Sequence, residues 1–380
     1  MRIAFDGKKA ARNRAGLGNY SRFVIGTMAR RFPDCMFDIY ISKDRTPSLL
    51  SSLEELPNVR ICRPTHPVLK HFPFLWEMFG IPYELSKRET DIFHGLGNVL
   101  PRNIRKAVGV KSVVTIHDLI FVSYPDTYNW IDRHLYNIKF RRACRQADRI
   151  IAVSKCTARD IVKYYFTPKQ KITVVYQGCD SSFRDNCPDS FKQEVRSRFN
   201  LPSRYILSVG TIEARKNTAL IVKALEKLPQ YNLVLVGKRT KYTALVEETA
   251  AVCGVADRVL ILDNVGFKDL PAIYQMAELF VYPSRYEGFG IPMLEALCSG
   301  VPAVGATGSC LEEAGGEASM YVDPDNVGEL VEKLQTLSVN KPLREEMIRK
   351  GHEYSDNFTD DMLADRLMDV YRELLGEEKH

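Results

Sequence analysis

Residues 279–302 read Leu-Phe-Val-Tyr-Pro-Ser-Arg-Tyr-Glu-Gly-Phe-Gly-Ile-Pro-Met-Leu-Glu-Ala-Leu-Cys-Ser-Gly-Val-Pro. The apolar run Leu279 to Tyr282, bounded by Pro283 and Ser284, predicts a buried strand. A helix is expected to start at Pro292, because proline suits the first helical position. It is expected to stop at Gly300, where glycine can take a left-handed cap and Pro302 bars continuation. A helix start leaves its first N–H groups without intrahelical partners, and Gly288, Phe289 and Gly290 place small backbone beside them. The amides and the helix dipole together favour an anion there. Two carboxylates flank the same point, Glu287 in the turn and Glu295 in the expected first helical turn. A carboxylate repels phosphate but accepts hydrogen bonds from hydroxyls, such as those of a ribose or a sugar. An anion site beside hydroxyl acceptors points to a nucleotide-sugar.

The stretch Glu287-Gly-Phe-Gly-Ile-Pro-x-x-Glu295-Ala resembles the signature of family 4 retaining glycosyltransferases, enzymes of the GT-B fold. The resemblance implies two Rossmann-like doubly wound domains with an interdomain cleft. Read without it, Pro-x-x-Glu-Ala-Leu is also an ordinary helix start whose glutamate serves the dipole. The two glycines and the second glutamate in one turn argue for the site.

A chain of 380 residues suits two domains. Apolar content of 45% with 26% charge belongs to a soluble globular protein. No apolar run approaches the ~20 residues of a membrane span. The first residues enter a strand directly, so no signal peptide is expected. Nine scattered cysteines include no C-x-x-C pair, which argues against a zinc site and for a reducing cytoplasm. Residues 1–200 hold 34 Lys and Arg against 19 Asp and Glu, whereas residues 201–380 hold 19 against 28. A basic half joined to an acidic half suggests that the first meets something anionic: nucleic acid, an anionic membrane surface or a phosphorylated acceptor. Plain solvated surface charge is the alternative.

Short β-rich runs alternate with helical patterns throughout, which predicts α/β architecture with parallel sheets. Strands are expected near 2–6, 37–42, 59–62, 91–94, 112–116, 149–153 and 172–175, and again near 205–210, 232–236, 258–262, 279–282, 302–305 and 320–322. The polar, turn-rich stretch 180–190 is the expected linker, giving domains 1–185 and 186–358. Residues 359–380 carry one apolar stripe, and the resemblance implies a helix crossing back to the first domain. If the second sheet has the doubly wound order 3-2-1-4-5-6, its first and fourth strands are neighbours, and ligands bind outside their carboxyl ends. The loop after Gly210 and the loop bearing Glu287 should then meet.

That first loop carries Arg215-Lys216-Asn217, with Asn217 a candidate N-cap for the following helix. Two cations suit the diphosphate of a nucleotide-sugar, whose charge grows as it leaves. Family 4 members often show Gly-x-x-x-Pro-Arg-Lys-Asn here. This chain has Ala214 in place of the proline and Thr211 where many carry arginine. Gly16-x-Gly18-x-Tyr20 follows the first strand but lacks the third glycine of a dinucleotide fingerprint; it matches a family loop near the donor phosphates. His117, after the strand ending at Ile116, matches a family histidine that contacts the donor sugar. His94 and Asn98 are candidates for the acceptor pocket, and Val265 for the base. Asp323-Pro-Asp325 resembles a D-x-D metal motif but falls in a late turn, and no metal is expected. The aromatic segment 70–79 and the interleaved Trp130, Tyr136, Phe140 and Arg133, Lys139, Arg141, Arg142, Arg145 suit either a membrane interface or two ordinary domain helices. No RNA-binding motif accompanies them.

The residues and the resemblance together give a metal-independent, retaining hexosyltransferase with no cofactor. His117, Glu287, Arg215 and Lys216 are the catalytic candidates. Gly16, Gly18, Gly210, Val265, Gly288, Phe289, Gly290 and Glu295 are the donor-binding candidates. The chain is most similar to bacterial mannosyltransferases that build surface polysaccharide or lipopolysaccharide. The expected partners are GDP-mannose, or else a UDP-sugar, a glycan or lipid-linked glycan acceptor, and an anionic membrane surface, with no nucleic acid. The expected location is the cytoplasm, at the inner face of the cell membrane. The rivals are a nucleotide-sugar epimerase of the same fold and a non-catalytic nucleotide- or RNA-binding protein.

Overall fold

The computed structural model describes residues 1–377 apart from 14–15, 43–48, 67 and 126–127. The chain divides into two compact units, one formed by residues 1–176 with 360–380 and the other by residues 177–359.

The first unit is built on a seven-stranded parallel sheet. Its strands are β1 (Arg2–Asp6), β2 (Met36–Tyr40), β3 (Val59–Cys62), β4 (Ile92–Gly95), β5 (Lys111–Ile116), β6 (Arg149–Ala152) and β7 (Ile172–Val174). They lie in the order β3-β2-β1-β4-β5-β6-β7. A sheet covered on both faces needs near-continuous apolar strands, and β4 is buried at every position. One face packs on the helix Gly16–Arg31 and on the last helix, Asp360–Leu375, through Leu363, Leu367, Val370 and Tyr371. The other face packs on Trp76, Ile81, Leu85 and Phe140.

The second unit holds six parallel strands: β8 (Tyr205–Val209), β9 (Asn232–Val236), β10 (Val259–Leu262), β11 (Leu279–Tyr282), β12 (Ala303–Ala306) and β13 (Met320–Val322). Their order is β10-β9-β8-β11-β12-β13. This is the doubly wound order, and β8 pairs directly with β11 through Leu279 beside Ile206 and Phe280 beside Leu207. The carboxyl ends of β8 and β11 form the switch point, where an open α/β sheet leaves a crevice. Phe280 and Val281 are fully buried, so truncating either to Ala should cost about 2–5 kcal/mol.

The boundary between units falls at Tyr176/Gln177, not after residue 185. The polar composition of 180–190 misleads because two apolar anchors lie within or beside it. Cys179 N–H donates to Phe358 O at 3.2 Å, and Phe183 packs edge-on against Phe267 and Tyr274. These contacts tie residues 177–185 to the second sheet.

Candidate active site

The helix after β11 runs Ile291–Cys298, one residue earlier than the sequence suggested. Glu295 therefore stands in its second turn, and no acidic residue occupies the first. Gly290 sits at the N-cap with φ +103°, and a Cβ there would lie 2.6 Å from Leu311 Cδ2. Only glycine meets both demands, so the Glu287–Gly290 turn depends on it. Gly300 is left-handed at φ +70°, two residues past the helix end.

The loops following β8 and β11 meet at Glu287. Its Oε1 lies 2.7 Å from Arg215 Nη1 and 2.7 Å from Lys216 Nζ. The same oxygen accepts from Ser284 Oγ at 2.7 Å and from Tyr282 Oη at 3.0 Å. Lys216 Nζ also donates to Tyr282 Oη. Arg215 donates to Tyr286 O, and its Nη2 lies 2.5 Å from Glu213 Oε1. Backbone closes the junction, with Arg285 N–H donating to Arg215 O at 2.9 Å. Burial by itself would raise the Glu287 pKa, but Lys216 and Arg215 outweigh it and hold the carboxyl at about 2. Glu287 is thus a carboxylate at any working pH, and it fixes both cations at the mouth of the switch point. Gly210, the first residue of the β8 loop, has φ +139° and lies close enough to Lys216 that a Cβ would meet its Nζ at 3.3 Å.

Glu295 is built differently. It is buried, and its Oε2 accepts one hydrogen bond, from Tyr274 Oη at 2.8 Å. Burial lifts its pKa to about 7; the Tyr274 bond opposes this and nearby Asp180 adds to it. Two carboxyls eight residues apart are pushed in opposite directions, one locked as an anion and one poised near neutrality.

Several sequence expectations need correction. Asn217 occupies the N-cap position of the helix Thr218–Leu225, but its side chain makes no cap bond. It is left-handed at φ +58°, and its Nδ2 donates to Pro324 O at 2.7 Å and Pro283 O at 3.4 Å. It therefore laces together the loops after β8, β11 and β13. Pro324 belongs to the Asp323-Pro-Asp325 turn, where Asp325 N–H donates to Asp323 Oδ1 at 2.8 Å and Asp325 pairs with Arg285 at 2.6 Å. Phe289 puts its side chain into the core beside Phe358, at 5.7 Å between rings, so only its backbone faces the turn. Val265 is half-buried past β10, at the same edge of the sheet but two strands from β8. Tyr282, Ser284 and Tyr274 were not foreseen. The first two lie within five residues of Glu287 and are findable from the strand end, whereas nothing local ties Tyr274 to Glu295.

In the first unit, His117 directly follows β5. Its N–H donates to Asn98 Oδ1 at 2.7 Å, and its Nε2 lies 2.8 Å from Leu96 O. A carbonyl only accepts, so Nε2 carries the proton. The Tyr20 ring meets the imidazole edge-on at 4.6 Å. Burial lowers the His117 pKa to about 4, so it is neutral near pH 7. Asn98, left-handed at φ +66°, is a positioning residue for His117. Gly16 and Gly18 lie in the first turn of the helix Gly16–Arg31, and a Cβ on Gly18 would overlap Asn13 O at 1.8 Å. Gly18 thus serves close packing that brings Tyr20 to His117.

His94 does not line a pocket. It is fully buried, with Nδ1 2.6 Å from Tyr371 Oη and Nε2 2.8 Å from Thr115 Oγ1. Both ring nitrogens are spent: Nδ1 pins the last helix to β4, and Nε2 ties β4 to Thr115 of β5. Burial pushes its pKa down to about 3.

Two domain models match this chain: "Glycosyltransferase Family 4" over residues 25–183 and "Glycosyl transferases group 1" over residues 189–354. The O-antigen chain mannosyltransferase B of Escherichia coli is 29% identical over 68% of this chain and 70% of its own length. The O-antigen chain mannosyltransferase RfbU of Salmonella typhimurium is 28% identical over 57% of this chain and 58% of its own. Among solved structures, sucrose-phosphate synthase from Thermosynechococcus elongatus superposes with a TM-score of 0.79 over 99% of both chains, at 19% identity. That likeness concerns the fold.

Proposed function

The chain belongs to the glycosyltransferases that join a family 4 domain to a group 1 domain, and on that premise we propose that it is a retaining mannosyltransferase of surface-polysaccharide synthesis. It is a glycosyltransferase of GT-B fold that uses a nucleotide-sugar donor and a glycan acceptor. GDP-mannose is the donor this reading selects, because the relatives above are named mannosyltransferases. Those names speak for transfer, and none supports the epimerase or binding-protein rivals.

The observation that carries the reading is the Glu287 junction with its two opposed carboxyls. The bond to break joins the anomeric carbon to a diphosphate oxygen, which leaves with the electron pair; the bond to form joins that carbon to the acceptor oxygen on the same face, and the acceptor's hydroxyl proton is released to balance the charge of the departing diphosphate. Negative charge builds on the departing diphosphate. Arg215 and Lys216, already gathered by Glu287 at 2.7 Å each, are positioned to take it up without reorganisation. The start of the helix Ile291–Cys298 adds its dipole. Glu287 orients the donor sugar through its hydroxyls. Glu295, as a carboxylate, accepts from the ribose hydroxyls. His117, neutral and held by Asn98 and Leu96, is the first unit's candidate for contact with the sugar. These charges do the work of a divalent ion, so turnover requires no metal.

No helix among the described residues is long and apolar enough to cross a membrane. The basic first half supports work at the anionic inner face of the cell membrane on a lipid-linked glycan. Thermal-shift titration with GDP, UDP and ADP tests the donor, since a ligand stabilises in proportion to its occupancy. GDP should stabilise most, and transfer of labelled mannose from GDP-mannose should follow. Stabilisation by UDP alone would overturn the mannose assignment; stabilisation by none would overturn the enzyme assignment.

A further inference from the structure

Two of the nine free cysteines meet inside the second unit. Cys298 is the last residue of the helix Ile291–Cys298, one turn beyond Glu295. Cys179 stands just past Gln177, where the second unit begins. The two thiols hydrogen-bond one another, and each residue is 1% exposed. The chain around Cys179 is stitched across the end of the Glu295 helix. Cys179 N–H donates to Phe358 O at 3.2 Å, and Ser299 Oγ donates to Phe183 O at 3.3 Å.

The surroundings of Cys298 are those of a reactive thiol. Arg184 and the Ser355 hydroxyl lie beside it. Arg184 is held in place by Asp356, whose Oδ1 lies 2.8 Å from Nη1, and by donating to Ser355 O. The Cys179 bond, with help from Arg184, outweighs burial and lowers the Cys298 pKa. Burial pushes the Cys179 thiol up, so it stays protonated beside its neighbour. Cys144 is the contrast: it is also 1% exposed, and burial lifts its thiol to about 12. A thiol that ionises readily, with a second thiol in contact, is the arrangement that turns a sulfenic acid into a disulfide. No group of three or more candidate metal ligands occurs among the described residues, so a metal does not account for the pair.

We propose that Cys179 and Cys298 are a reversible oxidation site, closed to a disulfide by hydrogen peroxide, and that closure weakens nucleotide binding at the neighbouring Glu295. The link to Glu295 rests on the glycosyltransferase reading, in which that carboxylate accepts from the ribose. The Cys298 thiolate attacks one peroxide oxygen, the O–O bond breaks, and the departing hydroxide takes a proton and leaves as water. The Cys179 sulfur then attacks the Cys298 sulfenic sulfur. The S–S bond forms, the S–O bond breaks, and hydroxide leaves with the Cys179 proton as a second water. Two thiols lose two electrons, and one peroxide becomes two waters. Peroxide is small enough to enter when the segment 177–184 opens locally. Closure draws the two sulfurs from hydrogen-bond contact into covalent contact and shifts the last turn of the helix that carries Glu295.

The full-length protein is treated with hydrogen peroxide, digested and read by mass spectrometry, and GDP is titrated before oxidation, after it, and after dithiothreitol. A peptide joining Cys179 to Cys298 should appear and should vanish on reduction. GDP affinity should fall on the order of tenfold with closure, as loss of a hydrogen bond to a charged group does, and should return with the thiols. Cys179→Ser should leave Cys298 as a sulfenic acid that dimedone traps, with no joined peptide, while its reduced form keeps wild-type GDP affinity. Absence of the joined peptide, pairing of Cys298 with another cysteine, or closure without change in GDP affinity would overturn the proposal. The two readings fail separately. If the reduced protein binds GDP and no disulfide forms, only the oxidation site falls; if the reduced protein fails to bind GDP, the transferase reading falls and the link to Glu295 with it.

Discussion

Arg215 and Glu287 meet at 2.7 Å although 72 residues separate them, because the strands that carry their loops, β8 and β11, are hydrogen-bonded neighbours. Lys216 shares the same carboxylate oxygen at 2.7 Å. The pair and the triad exist only because the sheet order reverses at that point.

Glu287 should separate turnover from nucleotide affinity. Glu287→Gln keeps the shape but removes the charge that gathers Arg215 and Lys216. Turnover should fall more steeply than GDP affinity, and the protein should lose about 3–5 kcal/mol of stability, the cost of breaking a buried ion pair. Chemical denaturation and GDP titration of the same variant check this; equal loss of GDP affinity and turnover would contradict the division of roles.

Glu295 should make nucleotide binding depend on pH. Its carboxyl sits at about 7 in the folded chain, raised from 4.5. Only the ionised form accepts from both ribose hydroxyls, so GDP affinity should rise between pH 6 and pH 8. Folding runs the other way: the raised pKa contributes stability below about 4.5 that is lost as pH climbs through about 7. Glu295→Ala should weaken GDP by about 1–3 kcal/mol and flatten the pH profile. Calorimetric titration across that range is the measurement.

Lys216→Ala should reduce turnover on the order of 10²-fold, as removing a donor that stabilises developing charge does. Excess chelator should leave the wild-type rate unchanged. Loss of activity in chelator with recovery in magnesium or manganese would reassign the diphosphate site to a metal.

His94 and His117 should make the first unit acid-sensitive. Their folded pKa values, about 3 and about 4, lie below 6.5. The neutral forms therefore contribute stability that is present above about 6.5 and lost as pH falls toward those values. His94→Gln should reduce the acid dependence while turnover at pH 7 stays within about twofold, because His94 holds Tyr371 and Thr115 and faces no substrate. A large drop in turnover at full stability would return His94 to the acceptor site.

The basic first half should bind vesicles containing anionic lipid and release them as salt rises, since screening shortens the reach of surface charge. Equal binding to neutral vesicles would assign the attachment to apolar contact alone.

The sequence by itself determined the local structure. Short apolar runs of three to six residues bounded by glycine, proline or polar turns can be read directly, and the thirteen strands of the two sheets lie where those runs lie. Six parallel strands taken in the usual doubly wound order bring the two loops together, and the second sheet has that order. Only the tertiary structure decided what each side chain does there. Glu287 and Glu295 are chemically identical residues eight positions apart, and nothing in the chain says that one is anchored by Arg215 and Lys216 while the other is buried against Tyr274. His94 and His117 each lie at the carboxyl end of a parallel strand, yet the last helix and β5 claim the two nitrogens of the first. Protonation, pairing and exposure depend on groups brought together from distant positions, and the fall of electrostatic energy with distance and burial is a property of the fold, not of the chain order.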